Sequence, residues 1–419
     1  GGWQHNAARV LPEKQRIDDR VAELFVPVIL IISLLTFFIW VFFGGIDVVS
    51  HGLFAALSVL VVACPCVVGL ATPVALAAGL NKAARNHILI RDTSALEQMR
   101  NVDVVVFDKT GTLTEGHPTV IGWLWAQGQE EHYKDVLLAA ESTSDHPLAE
   151  AIVTALEGEE QVIPAHLDGF ENITGKGVRV AYQGAEYWVG SHKLLKDYQA
   201  NLSDILADML TQYESDGNSI VYFGRENDLL AVIAIKDQLR VTSMEAIREL
   251  RTQDIEICML TGDGERTASS VAGSLGIMRF VADAMPDDKE DFIHKLQLQG
   301  KTVAMVGDGV NDAQALSCAD VSIAMGKGTD TLMDTAMITL RTSDLLLLPK
   351  VFRLSHQTVG LMYRNLFWAF IYNTVGIFVA AGVLYPVYDI LLSPALAGAA
   401  MALSCVSVAL SSLRLSSRF

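Results

Sequence analysis

The chain has 419 residues, enough for two or three domains. Its formal net charge is −17, from 31 Lys and Arg against 48 Asp and Glu, which argues against a nucleic-acid partner. Hydrophobic residues make up 51 %, more than an ordinary soluble chain carries, and point to membrane spans. The five cysteines (Cys64, Cys66, Cys258, Cys318, Cys405) offer no disulfide framework, and Cys258 and Cys318 read as small packing residues.

Residues 1–23 are polar and charged with no apolar centre, so no cleavable signal peptide is expected there. Leu24 to Ile46 carries no charge and suffices for one spanning helix, which needs roughly 20 residues. A turn holding Asp47 follows, and then an uncharged run from Val48 to Asn81 that contains Cys64-Pro65-Cys66. Lys82 and Arg85 come directly after it. Two more uncharged runs, Asn365 to Tyr388 and Ile390 to Leu413, flank Asp389 near the end of the chain. Arg353 and Arg364 precede this pair, and Arg414 and Arg418 follow it. Basic residues therefore collect on the side of the central region. Four spans fit, with the central region and both termini cytoplasmic.

Residues 83–357 read as soluble α/β. Apolar β-branched runs end in polar, Gly-containing turns at Phe107, Leu260 and Val306, and a fourth run, Val321 to Ala324, ends at Met325-Gly326. Helical patterns lie between them, as in a doubly wound parallel sheet. The stretch from about Val120 to Gly224 has another texture, a helix-like start and then hairpin-like pieces, and reads as an inserted domain.

Chemistry in an open α/β sheet sits past the carboxyl ends of its strands. The run Val104 to Phe107 stops at Asp108, followed by Lys109, Thr110, Gly111 and Thr112. A carboxylate there can attack phosphorus and form an aspartyl-phosphate, with Lys109 offsetting charge and the hydroxyls and amides holding phosphate. Three further segments should converge on it. Thr261, Gly262 and Asp263 follow one strand and can hold a phosphoryl group, although a lone segment of this kind equally suits a capped turn. Lys289 supplies a cation for charge on the equatorial oxygens. Asp308, Asn311 and Asp312, in the string GDGVND, suit a hard, oxygen-liganded Mg²⁺. In the insert, Gly175 and Gly177 let backbone approach a nucleotide, and His146 can stack or hydrogen-bond.

In a regular helix Cys64 and Cys66 would point about 200° apart, so both thiols could not face one ion. Pro65 lacks an N–H and clashes with the Val61 carbonyl, which breaks the helix and lets both sulfurs turn inward. Paired thiolates favour Cu(I), Zn(II) or Cd(II) over hard ions. The last two uncharged runs contain no acid or base and hold Tyr372, Asn373, Met401, Ser404 and Cys405. A thioether, hydroxyls and an amide suit a monovalent soft ion.

The string DKTGTLTEG, followed in order by TGD, GDGVND and a CPC span, resembles the heavy-metal P-type ATPases. The resemblance implies a haloacid-dehalogenase-like phosphorylation domain with an inserted α+β nucleotide-binding domain, flanked by four transmembrane helices. It implies ATP and Mg²⁺ as cofactors, the nucleotide at Glu141, His146, Gly175 and Gly177, and Mg²⁺ at Asp108, Thr110 and Asp308. Asp237 and Arg240 match the family's acid–Arg pair, while Ser191 stands where the family usually has Asn. The YN and MALS strings resemble the copper(I) subgroup and imply Cu(I) held by Cys64, Cys66, Tyr372, Asn373, Met401 and Ser404. Cys405 stands where that subgroup more often has a second Ser, and a packing thiol fits it as well as a ligand.

The implied organisation is a cytoplasmic lead-in at 1–23, two spans with the metal site at 24–82, and a phosphorylation domain at 83–119 and 229–357. The nucleotide domain occupies 120–228, two further spans 358–414, and a tail 415–419. The chain has no Thr-Gly-Glu string and no amino-terminal CxxC module, so it resembles the carboxyl-terminal portion of a longer pump. The implied setting is a bacterial plasma membrane, in contact with lipid, with copper delivered by a copper chaperone. A Zn(II)/Cd(II) pump, a membrane-anchored phosphatase and a non-catalytic metal-binding fragment stay open as alternatives.

Overall fold

The computed structural model describes residues 15–44, 49–64, 66–126, 130–144, 146–159, 162–200, 204–308, 312–326 and 335–417. Pro65 and Asn311 lie outside these, as does the side chain of Cys66. The chain divides into two compact units, residues 87–351 and the combination of 1–86 with 352–419.

In the first unit the strands are β1 (Ile88–Ile90), β2 (Val104–Asp108), β3 (Thr119–Trp125), β4 (Gly169–Ile173), β5 (Gly177–Tyr182) and β6 (Ala185–Gly190). They continue as β7 (Ser219–Arg225), β8 (Asp228–Lys236), β9 (Glu256–Leu260), β10 (Arg279–Val281), β11 (Val303–Gly307), β12 (Val321–Met325) and β13 (Ile338–Leu340). One sheet has the order β1-β13-β12-β11-β2-β9-β10, parallel except for β1. Strand β2 is central, and Val104 to Phe107 are fully buried, each contributing about 1.5–3 kcal/mol by leaving water. A strand covered on both faces needs such an unbroken apolar run, which is why the sequence shows no alternation here.

The insert is a six-stranded antiparallel sheet, β3-β8-β7-β6-β5-β4. It opens with strand β3 where a helix was expected. Alternate β-branched and aromatic residues in TVIGWLW fit a pleated surface, and β3 pairs with β8 from Thr119↔Lys236 to Trp125↔Ala231. The insert therefore ends at Lys236 and not at 228, because the buried run of β8 belongs to this sheet. Helices Glu130–Glu141 and Pro147–Glu157 pack on it around Leu137, Leu138, Ile152, Tyr187 and Phe223.

The second unit contains α1 (Gln15–Gly44), α2 (Val49–Val62) and α3 (Cys66–Arg85), with the helix Pro394–Ser417 packed on α2 and α3. Helix α1 takes in Gln15 to Glu23, part of the expected lead-in, because those residues are good helix formers continuous with the apolar run. By length and composition, Phe25–Phe43 and Pro394–Arg414 suffice to cross a membrane among the described residues, and Val49–Val62 is a shorter apolar helix. The run expected from Val48 to Asn81 is thus two helices separated at the CPC string. The long helix Leu347–Ala380 ends before Tyr388, where Gly382 at φ 93° opens a turn into the short helix Tyr385–Tyr388.

Candidate active site and intramembrane metal site

Parallel pairing brings the carboxyl ends of β9, β2 and β11 side by side, with Asp108 in register with Leu260 and Phe107 with Val306. Asp108, Thr261 and Asp308 consequently emerge at one edge. Past Asp108 the chain turns through Gly111 at φ 72°. A Cβ there would lie 1.6 Å from Asp308 Oδ2, so only glycine leaves room for that carboxylate. Thr114 Oγ1 accepts from Gly111 N at 3.0 Å and donates to Asp237 Oδ2 at 2.5 Å, while Arg240 Nε donates to the Thr112 carbonyl at 2.9 Å. Asp237 and Arg240 thereby brace the loop from its far side. Two residues that the sequence reading missed do similar work: Ser243 Oγ donates to the Leu113 carbonyl at 2.7 Å, and Ser219 Oγ accepts from Lys109 Nζ at 3.1 Å. Single serines carry no motif that would have marked them.

Lys289 Nζ donates to Asp108 Oδ1 at 2.6 Å and to Asp312 Oδ1 at 2.7 Å, all three side chains being buried. Burial alone would lower the lysine, but Asp108 and Asp312 outweigh it and hold the ammonium charged well above its ordinary range. The acids outnumber this cation. Burial, with Asp108 and Asp312 beside it, pushes Asp308 up to about 7, and burial with Asp108 pushes Asp312 up to about 7. Among the described residues, Thr112 Oγ1 is buried with no hydrogen-bond partner. Crowded carboxylates short of positive charge fit a hard divalent cation, so the residues present suit Mg²⁺ at Asp108, Thr110 and Asp308.

Lys109 pairs with Asp263. Burial works against the charge of Asp263, yet Lys109, Ser219 and Thr261 outweigh it and hold this carboxyl below the usual range. Thr261 Oγ1 donates to Asp263 Oδ2 at 2.8 Å and accepts from Asp263 N at 3.1 Å, which fixes the turn, and a Cβ on Gly262 would come no nearer than 3.7 Å to the Ala284 carbonyl.

In the insert, Glu141 ends its helix in a buried position, and burial pushes it up to about 7. His146 caps the next helix, its Nδ1 accepting from Leu148 N at 3.2 Å. The surrounding protein lowers its pKa, while Asp263 and Lys109 act on it in opposite directions, which puts its ring within reach of the charges at the strand ends. Gly175, at φ 69°, sits against Met285, whose Cε a Cβ would meet at 2.8 Å. Gly177 lets two strands close, since a Cβ there would lie 2.1 Å from the Val189 carbonyl. Its demand is thus met by packing within the sheet. Lys193 Nζ donates to the Asp283 carbonyl at 2.5 Å and draws the insert toward the same edge. Ser191 Oγ is buried and without a partner.

In the helical unit α2 stops at Val62, and Cys64 N donates to the Val61 carbonyl at 3.4 Å, a group that proline at position 65 cannot serve. Asn373 is 2 % exposed and, among the described residues, neither of its amide atoms is hydrogen-bonded and Ser404 Oγ is likewise buried and unpartnered. Met401 and Cys405 pack with Ala71, Ala369 and Val408. Tyr372 is 44 % exposed and stacks on Trp368 with ring centroids 5.8 Å apart.

The sequence profile of the haloacid dehalogenase-like hydrolases matches residues 102–320. A copper-exporting P-type ATPase of Legionella pneumophila is 42 % identical over 401 residues, covering 96 % of this chain and 54 % of the relative. A silver-exporting P-type ATPase of Salmonella typhimurium is 44 % identical over 406 residues, covering 96 % and 49 %. The chain therefore spans about half the length of the curated relatives it matches. A crystal structure of a zinc-transporting PIB-type ATPase in its E2·Pi state superimposes with TM-score 0.68 at 32 % identity, covering 95 % of this chain and 63 % of that one. The catalytic domain of the CPx-ATPase CopB-B does so with TM-score 0.54 at 28 % identity, covering 65 % and 97 %. The chain belongs to the haloacid dehalogenase-like hydrolase family and, within it, is a relative of the heavy-metal P-type ATPases that fits their carboxyl-terminal portion.

Proposed function

We propose that this chain carries the phosphorylation, nucleotide and metal-translocation elements of an ATP-driven copper(I) exporter. The observation that carries the reading is Asp108 at the end of a buried central strand, tied through Lys289 to Asp312. In the proposed reaction an Asp108 carboxylate oxygen attacks the γ-phosphorus of ATP, the bond to the bridging oxygen breaks, and ADP leaves. Lys289 and Lys109 offset charge on the transferring group, and Thr261 and Gly262 offer a hydroxyl and an amide to its oxygens. Asp108, Thr110 and Asp308 would hold Mg²⁺, which would neutralise charge on the phosphates. Glu141, His146, Gly175 and Gly177 form the nucleotide end of the cleft, and Asp312 stands beside the phosphoryl group, with Asn311 assigned to the same role by the GDGVND motif.

Copper(I) as cargo is received by Cys64 and Cys66, with Asn373, Met401 and Ser404 as neutral donors in a charge-free interior. The unpartnered polar atoms of Asn373 and Ser404 support this, since a buried amide or hydroxyl without a partner costs about 1–3 kcal/mol unless something binds it. Tyr372 keeps only a supporting place in this set. In this reading the domain ranges follow the sequence, with the insert extended to Lys236, and four spans hold the chain in a bacterial plasma membrane with its catalytic half cytoplasmic. Copper arrives from a chaperone. Superposition on a zinc-transporting ATPase gives Zn(II) a claim as second cargo.

The test is phosphorylation from γ-labelled ATP with Cu(I), Ag(I) or Zn(II), on the natural sequence, Asp108→Asn and Cys64→Ala/Cys66→Ala. Acid-stable label driven by Cu(I) and lost in both variants is expected. Label driven only by Zn(II) overturns the cargo, and label surviving in Asp108→Asn overturns the acceptor.

A further inference from the structure

Outside these sites, three metal-ligating side chains meet on the surface of the soluble unit. Glu290 and His294 stand one turn apart on the helix Pro286–Leu298 and share a face. Cys318 ends the helix Ala313–Cys318, which packs against it. Their ligand atoms all lie within 4.8 Å of one another. Cys318 Sγ is 3.4 Å from Glu290 Oε1, and His294 Nε2 is 3.5 Å from the same oxygen. Ligands held tetrahedrally at about 2.0–2.3 Å from zinc sit about 3.3–3.8 Å from each other, so the two spacings to the Glu290 oxygen fit, and the third pair, within 4.8 Å, needs only a small side-chain movement.

The histidine is also oriented. Gln297 Nε2 donates to the Cys318 carbonyl at 2.9 Å and to Asp320 Oδ2 at 3.3 Å. Its amide oxygen therefore faces His294, 3.1 Å from Nδ1, and that nitrogen must carry the proton. Nε2 faces the Glu290 carboxylate, an arrangement that either a second ring proton or a bound metal ion satisfies. A ring N–H anchored to an acceptor is the usual support for a metal-bound histidine.

We infer that Glu290, His294 and Cys318 bind a zinc-class divalent ion, with the fourth position open to water. One thiol, one imidazole and one carboxylate form a borderline donor set that suits Zn(II). Mg²⁺ avoids sulfur, and Cu(I) prefers two soft ligands. Binding replaces the thiol proton now shared with Glu290, so one proton is released per ion. The ion would staple the helix that carries Lys289 to the helix that follows Asp312, and thus couple ambient metal to the position of both groups around Asp108. The site stands whether or not copper is the cargo.

The experiment uses the full chain in detergent with Cys64→Ala/Cys66→Ala/Cys405→Ser, which removes the intramembrane thiols, and titrates Co(II) as a spectroscopic substitute. A near-ultraviolet thiolate-to-cobalt band with tetrahedral visible bands, both abolished by one equivalent of Zn(II), is expected. Cys318→Ser should remove the thiolate band, and Gln297→Ala should weaken binding about 10-fold or more. His294 is 51 % exposed, so His294→Gln decides the matter if Cys318→Ser does not fold, and it too should bind at least about 10-fold more weakly. The absence of the band in the parent, or an unchanged band and affinity in the variants, overturns the site.

Discussion

Replacing Lys289 by methionine removes the cation that touches both Asp108 and Asp312. The methionine fills nearly the same buried volume, so the loss is electrostatic. Breaking a buried pair by removing one partner costs about 3–5 kcal/mol, because the carboxylates are left without compensation. The cost has an escape: at low enough pH a carboxylate protonates and stops paying the desolvation penalty. Asp312 already titrates at about 7 with the lysine in place, and burial with Asp108 raises it further once the lysine is gone. Destabilisation should therefore be largest at about pH 8.5 and shrink toward about pH 6. For a unit of this size about 2–4 °C corresponds to 1 kcal/mol, so a fall in Tm of roughly 10 °C is expected at the alkaline end. Thermal unfolding of the full chain in detergent, followed by tryptophan fluorescence at both pH values with and without Mg²⁺, reads it directly. Mg²⁺ should recover part of the loss. A drop in Tm that ignores both pH and Mg²⁺ would mean that Lys289 only packs, and the electrostatic account of the site would fail.

The unmodified chain should show the same polarity more weakly. Asp308, Asp312 and Glu141 are all raised to about 7, so the folded state holds their protons more tightly than the unfolded chain, whose carboxyls titrate at about 4. Their contribution is full below that ordinary range and is lost as pH rises through 7, so Tm should be higher at about pH 5.5 than at about pH 8, and Mg²⁺ should narrow the gap. A flat profile from Mg²⁺-free samples would refute the crowding of these acids. Gly111→Ala should cost about 1–2 kcal/mol for its positive φ and displace Asp308, lowering Mg²⁺ affinity measured by calorimetry. Unchanged Mg²⁺ affinity would remove Asp308 from the proposed metal set. Asn373→Leu removes a buried amide with no partner and should raise bundle stability by about 1–3 kcal/mol while weakening Cu(I)-driven labelling. A loss of stability on that change would show that the amide is satisfied.

Much of this was legible in the chain itself. The run VVVF followed by an acid marked the central strand because burial on both faces demands unbroken apolar residues. The convergence of Thr261 and Asp308 on Asp108 followed from parallel order, which lines up strand ends, whereas Lys289 reaches in from a helix. Less local features were hidden. β3 read as helix because its partner β8 lies more than a hundred residues on, and only that pairing fixes its state. Gly177 read as a nucleotide contact; that it also lets two strands close is visible only when the Val189 carbonyl is placed beside it. Tyr372 precedes Asn373 in a motif, yet adjacent helical residues point about 100° apart, which is why Asn373 is buried while Tyr372 is largely exposed. Cys318 read as a packing residue because its partners sit on a different helix.

The pairing of Thr119 with Lys236 places the two ends of the insert about 5 Å apart, on neighbouring strands. The ladder continues past it, through Thr114 bridged to Leu239 and Glu115 N bonded to the Gln238 carbonyl. A module attached by such a two-strand stem is topologically a single appendage: its removal leaves a gap that one tight turn closes, and the order of the parallel sheet is untouched. The architecture is thus interchangeable at that joint. A different cap could be grafted at 119 and 236 onto the same aspartate-bearing platform, and selection for a new phosphoryl donor need only rebuild the appendage.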